Sequence, residues 1–146
     1  APGGVCFLND AIIEMLDIES DAIGVVRRHE EQELARREQL YRGDRSPLAV
    51  AGRPVIVVDD GVATGASMHA AVIFLHQQGA ARVVVAAPVI AREVYRQLEA
   101  IASEVVALAT PENLRSVGQW FAAFEPTSDE EVRQCITLDP ARRTLS

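Results

Sequence analysis

Two adjacent carboxylates, Asp59 and Asp60, head the run Gly61-Val62-Ala63-Thr64-Gly65-Ala66-Ser67. Gly61, Ala63, Gly65 and Ala66 carry almost no side chain, so a ligand can come close to the backbone there. Thr64 and Ser67 add hydroxyl donors. Where such a run leads into a helix, its unpaired N–H groups and the positive end of the helix dipole make a site for a dianion. The carboxylates would repel that anion unless they hold hydroxyls or a cation. A sugar phosphate meets both demands, with its phosphate on Thr64 to Ser67 and its vicinal hydroxyls on Asp59 and Asp60. All fourteen basic side chains are Arg and none is Lys, which excludes a Walker-type phosphate lysine. Two rival readings are weaker. A plain strand-to-helix connection with Asp-Gly turn chemistry leaves the hydroxyls and small residues unexplained. An acidic metal-binding receiver domain needs a further Asp at the end of a later strand, where this chain has Ala87-Pro88 and Ala109-Thr110.

The flanking elements position this run. Val55-Ile56-Val57-Val58 is a continuous β-branched stretch, expected to be a strand buried on both faces. A helix from about Ser67 to Gln78 follows, with Met68, Ala71, Val72 and Leu75 at helical spacing and Gly79 ending it. Residues 82–87 predict a second strand, about 91–102 a second helix, and 104–108 a third strand. Crossovers this short force parallel pairing, which places the Asp59–Ser67 run at the carboxyl edge where such sheets bind ligands. Upstream, Val5 to Leu8 reads as a strand after a turn and Ala11 to Leu16 as a short helix. A long helix from Ser20 to about Tyr41 stops at Gly43; its wholly polar middle, Arg27 to Glu33, leaves it standing proud of the body or covered by something else. Downstream, Ser128 and Glu131 form a capping box for a last helix to about Ile136, and 139–146 is a loose tail. The fold class expected is α/β, a three-layer and mainly parallel sheet. Residues 1–138 form one domain, with a helical and loop region over 1–46 and the core over 47–138.

Composition narrows the function. The chain has 146 residues and a net charge of −7, and an anion does not gather passively on nucleic acid or acidic membrane. No apolar run reaches the ~20 residues a membrane helix needs, and the first residues given lack a basic n-region followed by an apolar h-region, so no signal peptide is expected. Neither partner class is expected. Cys6 and Cys135 are too few and too isolated for a zinc site or a disulfide framework, and read as structural thiols of a reducing, cytoplasmic compartment.

Four apolar residues, two acidic residues and then Thr-Gly-x-Ser closely resemble the 5-phosphoribosyl-1-diphosphate (PRPP) motif of type I phosphoribosyltransferases. The flanking text, "EQLYRGDR" and "VGQWFAAFEPTSDEEV", resembles a bacterial subgroup of predicted phosphoribosyltransferases, whose members are sometimes fused to a dienelactone-hydrolase-like domain. The resemblance implies a type I phosphoribosyltransferase fold. It also implies ribose contact at Asp59 and Asp60, either of which is the candidate acid/base carboxylate, and 5-phosphate contact at Ala63, Thr64, Gly65, Ala66 and Ser67. The implied reaction is displacement of diphosphate from PRPP by a nitrogen nucleophile such as a nucleobase. Mg²⁺ enters with the diphosphate, touching Asp59 or Asp60 through water at most. In that family a diphosphate loop lies on an earlier strand, ahead of the position of Ala1. The chain is therefore expected to lack an amino-terminal part and to leave a sheet edge open, inviting self-association or a separate fragment that supplies the lost strands.

Trp120 and Phe121 follow the third strand on the ligand side and are candidates for stacking on an acceptor base, against an ordinary packing role. Arg92 is a weaker base-contact candidate. Arg42 and Arg45 are the candidates for a mobile cationic element, whereas Arg36 and Arg37, interleaved with glutamates, read as a solvated face. His29, His69 and His76 read as lone surface or packing histidines. Two functions stay open: a transferase of unknown acceptor, and a non-catalytic module that senses PRPP or a nucleotide.

Overall fold

A computed structural model describes residues 7–8, 13, 17–43, 45 and 48–138. The strand expected over Val5 to Leu8 and the helix over Ala11 to Leu16 lie mostly outside these residues; Phe7 and Leu8 themselves are not in a strand. The 139–146 tail lies wholly outside them.

The repeating strand–helix unit is present as expected. β1 (Pro54–Val58), α2 (Ala66–Gln77), β2 (Arg82–Val89), α3 (Arg92–Glu99) and β3 (Glu104–Ala109) follow α1 (Ser20–Arg42). The sheet order is β1-β2-β3 and both pairings are parallel, with Val55 opposite Val83 and Val85 opposite Val105. α2 ends as its sequence predicts. Gly79 takes φ 76°, and the N–H groups of Gly79 and Ala80 donate to His76 and Leu75 carbonyls at 3.0 and 3.1 Å, closing the last turn.

Right-handed crossovers between strands in sequential order put α2 and α3 on the same face. The core sits there: Val83, Val85 and Ala87 of β2 pack with Met68, Val72 and Leu75 of α2 and Val94 and Leu98 of α3. The opposite face departs from expectation. Strand β1 is half exposed, with Ile56 at 65% and Val58 at 72%, and Leu108 of β3 is 87% exposed. The β-branched run marks β1 as apolar on both sides, but among the described residues α2 and α3 cover only one of them. The α/β class expected from sequence, a parallel sheet with flanking helices, is present, and the described helices leave Ile56, Val58 and Leu108 exposed. Among the described residues, β1 is one edge of the sheet.

α1 has no buried residue, which agrees with its polar middle. Glu33 accepts from Arg36 and Arg37, and these guanidinium partners hold its carboxyl down to about 2. The helix is tied at its far end to α4 (Asp129–Leu138): Arg36 and the Tyr41 hydroxyl both donate to Asp129. The α4 capping box forms as predicted, with Ser128 N–H donating to Glu131 at 2.8 Å and Glu131 N–H to the Ser128 hydroxyl at 3.3 Å. An apolar cleft of about 910 Å³ separates α1 from α2, with Val26 and Leu34 on one wall, Ala71 and Phe74 on the other, and Val57 of β1 also lining it.

Candidate functional site

The loop after β1 is stitched to the end of β2 rather than hanging free. Asp59 N–H donates to Ala86, Val62 N–H to Val89, and Ala91 N–H to Val62, at 3.2, 2.9 and 2.9 Å. Val62 is buried and anchors the turn, so the residues on either side of it are lifted to the carboxyl edge of the sheet. Two glycines are required by space. A Cβ on Gly61 would meet Val117 Cγ1 at 2.5 Å; one on Gly65 would meet Val94 Cγ1 at 2.4 Å, and Gly65 also sits at φ 76°, where only glycine is unstrained.

Gly65 is the N-cap of α2 and offers no side chain to the first turn. The N–H groups of Ala66, Ser67 and Met68 therefore have no partner within the helix, and the first helical bond runs from His69 N–H to the Gly65 carbonyl at 2.8 Å. Those donors line a pocket of about 140 Å³ together with Asp59, Gly61, Ala63, Thr64, Gly65 and Val117. The volume is below the ~300–1,000 Å³ of a pocket for a whole drug-sized ligand and corresponds to about five waters at ~30 Å³ each. It suits one phosphoryl group. All five residues expected to hold the 5-phosphate line this pocket, from Ala63 to Ser67.

The two carboxylates differ. Asp59 lines the pocket and accepts from the Asp60 N–H at 2.9 Å. Loss of water around it pushes its carboxyl up; the Asp60 N–H opposes that rise, and the neighbouring Asp60 charge adds to it. Both residues are exposed, and Asp60 does not line the pocket. Among the described residues no group of three or more His, Cys, Asp or Glu could hold a metal ion. Two carboxylates fit a Mg²⁺ ion that arrives on a ligand's phosphates and is reached through water, since this ion keeps several waters and takes few protein ligands.

Val117, from the short 3₁₀ turn Val117–Trp120, reaches the pocket where Trp120 and Phe121 do not. Phe121 packs on Phe124 with ring centroids 5.2 Å apart, and Trp120 is 49% exposed. Arg92 is engaged at the end of β3, donating to the Thr110 carbonyl at 3.2 Å and to Glu112 at 2.7 Å. Arg42 and Arg45 do not line the pocket. His69 is the residue that sequence reasoning passed over. It is 6% exposed, its Nδ1 lies 2.9 Å from the Gly65 carbonyl oxygen, and its ring stacks on Phe7 at 4.5 Å. Its place one turn after Gly65 was the available signal. The described helices include none long and apolar enough to cross a membrane.

This geometry agrees with the comparisons to known proteins. The chain is 38% identical over 143 residues to a Mycobacterium tuberculosis protein named "Putative phosphoribosyl transferase", in two strains, an alignment covering 98% of this chain and 32% of the relative. It resembles the crystal structure of TT1426 from Thermus thermophilus with a TM-score of 0.71 and 37% identity, over 92% of this chain and 63% of that one. The chain thus spans about a third of the length of the curated relatives it matches. The phosphoribosyl transferase domain model matches residues 1–131, and with a parallel α/β sheet carrying its phosphate-sized pocket at the carboxyl edge, the chain belongs to the phosphoribosyl transferase domain family.

Proposed function

We propose that the domain binds PRPP, seating the 5-phosphate on Ala63 to Ser67 and the ribose hydroxyls against Asp59 and Asp60. The observation that carries this is the small pocket itself: Asp59, Thr64 and the first residues of a helix, Ser67 among them, line a volume of about 140 Å³ at the carboxyl edge of the sheet. The first reading of such a site is phosphoribosyl transfer. A nitrogen nucleophile attacks C1 of the ribose, the C1–O bond to diphosphate breaks, and its electron pair leaves on the diphosphate. The nitrogen then loses a proton. Mg²⁺ supplies charge neutralisation on the diphosphate when bound. The contribution of this chain is to fix the ribose 5-phosphate, through the 63–67 loop and the carboxylates, so that C1 is presented in one orientation. The acceptor is a nitrogen base whose identity lies outside the pocket described.

A regulatory module that binds PRPP or a nucleotide without turnover is the second reading. It is favoured by one observation: among the described residues no cationic side chain lines the pocket to hold a diphosphate. The separating experiment is calorimetric titration with ribose 5-phosphate, and with PRPP plus Mg²⁺, followed by a diphosphate-release assay over a panel of bases. Binding of both ligands, lost in Ser67→Ala with Thr64→Ala, supports the site. Diphosphate release supports the transferase, and binding without release supports the sensor. Failure of either ligand to bind would overturn the assignment.

The apolar sheet face and the cleft beside β1 lead to a further part of this reading. These surfaces support self-association of the 146-residue polypeptide, or cover by a separate fragment that supplies further strands, because purely parallel sheets are found almost only with both faces covered.

A further inference from the structure

We infer that His69 is a positioning residue for the anion loop: it holds the Gly65 carbonyl so that the Ala66 N–H is aimed into the pocket. The inference rests on the phosphate reading of that pocket, but its geometry does not. A trans peptide points its C=O and N–H in opposite directions, so whatever fixes the Gly65 oxygen also fixes the Ala66 hydrogen. On its glycine side the Gly65–Ala66 peptide has no Cβ to restrict rotation. That oxygen accepts twice, from the His69 backbone N–H at 2.8 Å and from the His69 ring Nδ1 at 2.9 Å, which occupies both lone pairs. A carbonyl only accepts, so Nδ1 carries the proton and the tautomer is set.

The ring is held in turn. It is buried to 6% exposure and stacks on Phe7 with an interplanar angle of 19°. A Cβ built on Gly65 would stand 3.0 Å from Nδ1 and 3.2 Å from Cε1, so the imidazole lies directly beside the glycine, in space that only the missing side chain leaves open. Helix propensity explains none of this. A leucine would fill the same core position, yet it would leave the Gly65 oxygen with a single donor.

The test has a ligand-free arm and a binding arm, both on the 146-residue protein. Long-range ¹⁵N–¹H NMR reads the tautomer of His69 and the amide shifts of Ala66 and Ser67. The Nδ1–H form is expected, and an Nε2–H form overturns the inference whatever the protein binds. In the binding arm, inorganic phosphate and ribose 5-phosphate are titrated into wild type, His69→Leu and His69→Asn. Loss of one net hydrogen bond's worth of orientation predicts affinity about three- to tenfold weaker in His69→Leu. Asparagine places an N–H donor near the Nδ1 position, so His69→Asn should recover to within about twofold, a rescue that core filling alone would not produce. Equal affinity of folded His69→Leu and wild type overturns the inference. If wild type binds neither ligand, the phosphate reading fails instead, and the tautomer with the Ala66 shift still decides the positioning role. Should His69→Leu fail to fold, the comparison of His69→Asn with wild type, together with the tautomer, decides it.

Discussion

Gly65→Ala tests the anion loop most directly, since two independent effects fall on one added methyl. The first is conformational: at φ 76° an alanine costs about 1–2 kcal/mol relative to glycine. The second is steric. The new Cβ would lie 2.4 Å from Val94 Cγ1, inside a core where Val94 is only 7% exposed, and overpacking of this kind costs about 1–3 kcal/mol. Together they remove roughly 2–5 kcal/mol, a large part of the ~5–15 kcal/mol that holds a domain folded. For a chain of this size the midpoint should fall by roughly 6–20 °C. Differential scanning fluorimetry reads the fall, and phosphate titration of the folded fraction should show weakened binding, because relief of the overlap shifts the Ala66 and Ser67 N–H groups. Gly65→Asn separates the two effects. Asparagine tolerates positive φ better but brings the same Cβ, so it should be nearly as damaging. Adding Val94→Ala to Gly65→Ala should show favourable coupling of about 1 kcal/mol, the steric share returned while the φ strain stays. An unchanged midpoint in Gly65→Ala would refute the packing of Gly65 between α2 and α3.

Three further outcomes follow from the same geometry. Gly61→Ala meets the Val117 methyls at 2.5 and 2.8 Å without φ strain, so it should cost about 1–3 kcal/mol and be largely rescued by Val117→Ala in thermal melts; no rescue would mean that the 3₁₀ turn is not seated on the loop. Asp59 is exposed overall but its carboxyl is raised by partial loss of water, so a small stabilising contribution is complete below the ordinary carboxylate range and is lost as pH rises through the raised value; Asp59→Asn should therefore melt slightly higher than wild type at neutral pH, with the gap closing in acid, and a gap constant with pH would contradict the assignment. The isolated 146-residue polypeptide, with Ile56, Val58 and Leu108 at 65, 72 and 87% exposure on one sheet face, should sediment as a self-associated species, and a monodisperse monomer would count against the second-copy reading.

What the sequence revealed, and what it hid, follows from the range of the forces involved. Strand β1, helix α2 and the small-residue loop between them were legible because each is a local pattern: β-branched continuity, helical spacing at Met68, Val72 and Leu75, and glycines where the chain must turn. The capping box at Ser128 and Glu131 is local in the same sense, and it formed. Burial of β1 was misjudged because hydrophobicity states what a face can bury and not what arrives to bury it. Val57 and Ile56 read alike in sequence, yet the first packs against the core and the second faces solvent.

His69 was missed for a related reason. A histidine's role depends on which groups surround the ring, and here these are Gly65, four residues back, and Phe7, far away in the chain. The i to i−4 relation alone would suggest a contact, but the Cβ of the residue one turn back normally stands where such a ring would have to lie. Gly65 differs in lacking a Cβ, and the space this leaves is where the imidazole fits. The glycine that the anion loop needs for its turn therefore also opens the place from which His69 can hold that turn, so loop conformation and donor orientation depend on one residue pair rather than on the glycine alone.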